Sequence, residues 1–309
     1  MRGPGGRRTI LRGLGLGLVL FVAGCGRDDE TDYSPQFTDA AQGGAEVCLF
    51  GVHPLHNPHH LFKVYQPLVD YLNRHGDGTR FRLEASRNYD AFEQKLFDRH
   101  FAFALPNPYQ TVMSLRHGYR VFGKMANDED FRGIILVRRD SAIASVADLR
   151  GKAISYPAET AVAATLMPQW FLHSHGLETS TDVDSRYVGS QESAIMNVYL
   201  GITAAGATWP PPWRAFVRDH PEVAAALEVR WQTGSLPNNG LVVRDDVPEA
   251  LARRVAGLLF GLQDTEEGRA ILAAMELGRF EPADDTTYQP VSAFLARFSH
   301  EVRPLEGFP

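Results

Sequence analysis

The sequence predicts an α/β protein. Short apolar runs of strand length recur along the chain, and most are followed by a segment with helical spacing. The 309 residues, 44% of them hydrophobic, also hold enough apolar surface for two modest domains. Strands that alternate with crossover helices imply mostly parallel sheets covered on both faces. No internal repeat or low-complexity tract interrupts the alternation.

The elements follow in order. A strand is expected over 47–52, then a helix over 58–74 closed by Gly76. Strand 81–85 precedes a helix near 89–99, and strand 102–105 precedes a helix near 109–116. Strands at 134–137 and 153–155, a helix from Thr160, strand 186–188, a helix near 193–200 and strand 203–207 continue the pattern. Leu241, Val242 and Val243 form a buried strand after a Pro-Asn-Asn-Gly turn signal. Pro248 suits a first helical turn, with Leu251, Val255, Leu258, Leu259 and Leu262 on one helical face. Asp264 with Glu267 reads as a capping box for a second helix, followed by a polar Pro-Ala-Asp-Asp loop.

The N-terminus carries an export pattern. Arg7 and Arg8 precede a glycine-rich, weakly apolar stretch over 14–22, too short and broken to span a bilayer stably. Phe21-Val22-Ala23-Gly24-Cys25 resembles a bacterial lipobox. It implies a signal peptide over 1–24, lipidation of Cys25 and a flexible tether over 25–44, so that membrane contact comes through the lipid. Arg7 to Arg12 resembles a twin-arginine export motif, the general secretory route being the alternative. Four of the 31 basic residues lie in the first 24, so the processed chain carries 27 basic against 37 acidic residues, a net −10 that argues against nucleic acid as a partner. With Cys25 lipidated only Cys48 remains, which excludes an intrachain disulfide and leaves Cys48 as a core thiol.

The segment from Leu236 to Val291 is the most specific in the chain. Pro237, Asn238, Val242, Arg244, Asp246 and Pro248, then Asp264, Thr265 and Gly268, then Pro282 to Asp285, Tyr288 and Pro290 fall in a fixed register. In that register the chain resembles the phosphate/phosphite/phosphonate family of ABC-importer substrate-binding proteins. The resemblance implies the type II periplasmic binding fold, two α/β lobes with a ligand cleft between them. Lobe one would comprise 45–134 and 243–309, and lobe two 135–242. It also implies a binding protein that is not an enzyme, with a small-molecule ligand and a membrane permease as partners and no cofactor, and the protein is expected as a monomer. The same fold can instead serve as a periplasmic sensor that docks on a membrane histidine kinase.

Ligands in such sheets bind at the carboxyl ends of strands, so the loops there supply the candidates. After the first strand, His53, His56, His59 and His60 crowd a loop and helix start. Imidazole suits zinc, copper or nickel, but Pro54 and Pro58 break regular spacing, so no metal site is assigned and His56 is expected to face the cleft. Tyr109, at the next junction, offers a ring face and a hydroxyl. Where phosphonate binders carry Ser-Thr-Ser-Gly at a helix N-terminus, this chain has Ala161, Val162, Ala163 and Ala164, with Thr160 able to supply one hydroxyl and Glu159 nearby to repel a dianion. Gln191 stands where relatives often carry His. Trp209 and Trp213 flank three prolines, expected as a stiff aromatic wall.

A solute-binding scaffold with an altered pocket follows. The expected ligand is a weakly charged or neutral solute, or one with a cationic part stacked on tryptophan, and not a phosphonate dianion. No nucleophile elbow, phosphate-cradling lysine loop or zinc-protease helix is present in the sequence, and Asp128-Glu129-Asp130 reads as a solvated turn.

Overall fold

The computed structural model describes residues Val47–Phe308. The expected signal peptide, Cys25 and the tether lie outside them. Among the described residues eleven strands form two sheets. The first holds β1 (Val47–Val52), β2 (Arg80–Glu84), β3 (Phe103–Leu105), β4 (Tyr119–Met125), β10 (Gly240–Arg244) and β11 (Phe280–Pro282), in the order β11-β4-β10-β3-β1-β2. The second holds β5 (Arg132–Arg138), β6 (Ala153–Tyr156), β7 (Asp184–Tyr187), β8 (Ala205–Thr208) and β9 (Leu227–Ser235), in the order β7-β6-β8-β5-β9. The helices are α1 (Pro58–His75), α2 (Tyr89–Phe97), α3 (Pro108–Ser114), α4 (Met167–Ser174), α5 (Gln191–Tyr199), α6 (Pro210–Asp219), α7 (Pro221–Ala224), α8 (Glu249–Phe260), α9 (Glu266–Ala274) and α10 (Gln289–Glu301).

The chain passes from the first sheet to the second between Met125 and Arg132 and returns between Ser235 and Gly240, a few residues ahead of the expected positions. Within each sheet the crossover-connected strands are parallel: β1 with β2 and β3, and β6 with β7 and β8. The strand that arrives from the other half runs antiparallel to its neighbours, β10 against β3 and β4, and β5 against β8 and β9. A strand entering from the cleft end must run against strands that leave toward it, which is why the sheets are mixed. The two crossing segments are stitched together. Leu236 N donates to Phe131 O (3.1 Å), Asn238 N to Asp128 Oδ1 (2.9 Å) and Asn238 Nδ2 to Ala126 O (2.9 Å). The acidic turn therefore ties the two crossing segments together, with Lys124 Nζ 2.7 Å from Asp128.

Side chains of β5 alternate between two cores, Ile135 and Val137 on one face and Ile134 and Leu136 on the other, as the pleat requires. The larger core, around the first sheet, also takes in Phe131, Ala161–Ala164, Leu166, Met167 and Trp209. The two halves are thus joined by apolar packing across the cleft. Several local expectations change. Cys48 is half-buried in β1, packed against the first core. The helix after Asp264 is capped by Thr265, whose Oγ1 accepts from Gly268 N at 2.9 Å, and Asp264 sits in the preceding 3₁₀ turn. Pro210, Pro211 and Pro212 form the first turn of α6, where their missing N–H groups would have had no intrahelical partner.

Candidate functional site

The loops at the carboxyl ends of β1, β3, β6 and β8 converge between the halves. They enclose a narrow pocket lined by His53, Tyr89, Asn107, Gln191, Trp209 and Asn239, together with Phe131 and the backbone run Ala161–Ala164. Its free volume is about 10 Å³. No Asp, Glu, Lys or Arg lines it.

Each wall has a local cause. His53 follows β1 directly and is 2% exposed, with Nδ1 2.9 Å from Leu105 O. A carbonyl only accepts, so Nδ1 carries the proton and Nε2 is left as an acceptor. Burial holds the imidazole neutral by lowering its pKa to about 4, against a smaller opposing effect of the Leu105 hydrogen bond. Tyr89 opens α2 behind the cap Asn88, and its hydroxyl lies within reach of the Gln191 amide. Asn107 caps α3, accepting from Gln110 N (3.0 Å), and donates across the cleft to Thr160 O (3.0 Å). Gln191 opens α5, and its Oε1 accepts from Thr208 Oγ1 (2.8 Å). Trp209 is 3% exposed and meets Phe131 edge-on at 5.4 Å between ring centroids.

The run Ala161–Ala164 ends in a π turn, Val162–Leu166, that continues into α4. Gly133 allows this close approach, because a Cβ there would lie 2.6 Å from Ala163 O and 2.7 Å from Pro168 Cδ. The first N–H groups of the turn have no carbonyl one turn back to pair with. Asn239, on the returning segment, is 1% exposed; its Nδ2 lies 3.4 Å from Met125 Sδ, and its Oδ1 has no hydrogen-bond partner in the protein.

Of the residues singled out from sequence, Gln191 and Trp209 line this pocket. His56 lines a neighbouring pocket of about 80 Å³ with His60, Glu192, Phe216 and His220, and its ring lies 4.5 Å from that of His60. Thr160 spans the cleft beside the site, Oγ1 donating to Glu93 Oε1 at 2.6 Å. Tyr109 turns away, because the second position of α3 directs it to the C-terminal segment: its hydroxyl donates to Glu306 O (3.3 Å) and its ring faces Phe308. Trp213, one turn into α6, stacks on Phe216 in the second-sheet core. His53, Tyr89, Asn107, Phe131 and Asn239 were not singled out. His53 and Asn107 carried the strand-end signal, whereas Phe131 and Asn239 gave none. Among the described residues, no group of three or more His, Cys, Asp or Glu side chains is arranged to hold a metal ion.

Further contacts tie the halves around the pocket. Arg303 donates to Gln169 Oε1 (3.1 Å) and Glu159 O (2.7 Å), Glu276 pairs with Arg214 and Arg218, and Asn57 Nδ2 lies 3.4 Å from Glu192 Oε2.

Comparison with known proteins gives concordant matches. The model of a family described as "ABC transporter, phosphonate, periplasmic substrate-binding protein" matches residues 50–288. A probable ABC transporter phosphite binding protein of Prochlorococcus marinus is 21% identical over 177 residues, 53% of this chain and 60% of that protein's length. The structure of the Prochlorococcus marinus protein with methylphosphonate superposes with a TM-score of 0.75 at 18% identity, covering 82% of this chain and 98% of that one. A binding-protein component of an ABC phosphonate transporter from Pseudomonas aeruginosa gives a TM-score of 0.77 at 15% identity, covering 83% and 88%. The two-sheet architecture is that of the type II periplasmic binding proteins.

Proposed function

Since the chain belongs to the ABC transporter phosphonate periplasmic substrate-binding protein family, we propose that it is an extracytoplasmic solute-binding lipoprotein that captures a small solute between two lobes for an importer permease. Lobe one corresponds to the first-sheet half and lobe two to the second. Lipid on Cys25 holds the body at the membrane, and hinge motion at the two crossing segments opens and closes the cleft.

The solute carries no net negative charge. The observation that supports this is the lining itself. The pocket contains no cationic side chain, and alanine and valine occupy the helix start where hydroxyl groups would hold an oxyanion. A dianion there would meet backbone N–H groups and the neutral side chains of Tyr89, Asn107, Gln191 and Trp209, with no cation to offset its lost hydration. His53, held neutral by burial, adds no positive charge at neutral pH.

The test is a titration of the full chain in detergent with phosphonates, phosphite, sulfonates, amino acids, amines and amides, read by tryptophan fluorescence and thermal shift. A bound solute stabilises by RT ln(1 + [L]/Kd), about 2.7 kcal/mol at a hundredfold excess over Kd. An uncharged solute is expected to respond and methylphosphonate is not. A submicromolar Kd for methylphosphonate or phosphite refutes the charge selection.

A further inference from the structure

The polarity of the inner pocket identifies what its solute must offer. On the first-sheet side two acceptor atoms belong to residues that line the space. One is His53 Nε2, whose ring is fixed by the Nδ1 contact to Leu105 O at 2.9 Å. The other is Asn239 Oδ1, buried at 1% exposure and without a protein partner. The amide orientation of Asn239 follows from Met125: a thioether sulfur is an acceptor only, so Nδ2 faces it at 3.4 Å and Oδ1 is the atom left over. A buried acceptor without a donor is unfavourable, and Asn239 Oδ1 is the one such atom among the residues that line this pocket.

The opposite wall has the reverse polarity. The continuous helical segment that begins at Val162 and runs through α4 presents its first backbone N–H groups toward the same space. The pocket, about 10 Å³ as it stands, must widen by hinge motion to admit a solute, and a solute seated between these groups needs an acceptor at one end and N–H or O–H donors at the other. It should also be uncharged, since neither a carboxylate nor a cationic side chain is there to pair with an ion. Trp209, Phe131 and the alanine methyl groups leave only a thin apolar slot between these walls.

We propose that the pocket takes a small primary carboxamide or urea, with its carbonyl at the helix start and its N–H groups on His53 Nε2 and Asn239 Oδ1. This rests on solute capture at this pocket and specifies the class of solute. The same two acceptors would also oppose an oxyanion placed against them, lone pair to lone pair.

Calorimetry and thermal shift of the full chain in detergent test this with acetamide, urea, N,N-dimethylacetamide, acetate and methylphosphonate. Acetamide or urea is expected to bind, while dimethylacetamide, which keeps the carbonyl and lacks the donors, binds at least about tenfold more weakly. Asn239→Leu is expected to weaken acetamide by a similar factor. Changing the probe keeps the test independent of whether that variant folds. Equal binding of acetamide and dimethylacetamide overturns the donor requirement. Binding of acetate or methylphosphonate without acetamide or urea overturns the solute class but leaves capture at this pocket standing. If none of the five binds, the amide assignment fails, and capture is then decided by the wider fluorescence titration.

Discussion

Replacing Trp209 by alanine is expected to damage folding and binding together. The side chain is 3% exposed, sits in the core that joins the two halves, and meets Phe131 edge-on at 5.4 Å. Truncating a buried tryptophan typically costs about 3–5 kcal/mol, of which an aromatic pair supplies about 0.5–1.5 kcal/mol. For a body of this size each kcal/mol moves Tm by about 2–4 °C, so the variant should melt on the order of 10 °C lower. Because the same ring walls the pocket, losing a buried aromatic anchor should also weaken solute binding by about 2 kcal/mol, on the order of thirtyfold. Trp213→Ala is the control. That ring is half-buried and stacked on Phe216 away from the pocket, so its loss should cost about 1–2 kcal/mol of stability and leave affinity unchanged. Guanidinium melts and fluorescence titrations on both variants separate the effects. Unchanged affinity in Trp209→Ala, or lost affinity with an unchanged melt in Trp213→Ala, would refute this assignment of the two rings.

Three other outcomes are expected. The folded-state pKa of His53, about 4, lies below the unfolded value of 6.5, so the unfolded chain takes up its proton first as pH falls; stability from this group is full above about pH 6.5 and declines by about 3 kcal/mol toward pH 4. Guanidinium melts across that range should show the decline in the native chain and a flatter profile in His53→Gln. Glu93, whose carboxyl is pushed above its usual range chiefly by burial, loses folded-state advantage as pH rises through that raised value; Glu93→Gln keeps an acceptor for Thr160 and Gln110 and should raise stability at pH 7 with little change at pH 4. A neutral-pH loss in that variant would mean that the ionised form is needed. Cys25→Ser should abolish lipid attachment, checked by mass spectrometry of the mature N-terminus, and an unlipidated native N-terminus beyond residue 25 would remove the anchor.

Much of the scaffold was legible because local rules and the global fold agree there. β1, α1 and the strand-helix-helix unit after Leu236 carry turn residues, proline positions and helical periodicity at their expected places. β4, β9 and β11 were not read. β4 runs Tyr-Arg-Val-Phe-Gly-Lys-Met, with a glycine that meets Phe260, and β9 is a largely exposed edge strand paired among the described residues with β5 alone, about a hundred residues earlier. At the candidate pocket, the strand-end rule pointed to Trp209, and the resemblance pointed to Gln191, which stands where relatives often carry His. The strand-end rule favoured His56 over His53 and Tyr109 over Asn107, since one or two residues at a helix start decide whether a side chain enters the cleft. Phe131 and Asn239 reach the pocket only because two segments cross between the sheets, about a hundred residues apart in sequence, and no local pattern encodes that meeting.

The most direct test is to identify the small molecule that the natively purified full chain releases on denaturation. With detergent-extracted protein that has never been unfolded, mass spectrometry of the released fraction should give a small uncharged solute with N–H or O–H donors, and the level should fall in Trp209→Ala and Asn239→Leu. Release of stoichiometric phosphate, phosphite or a phosphonate, at a level that these two substitutions leave unchanged, would contradict both the charge selection and the pocket.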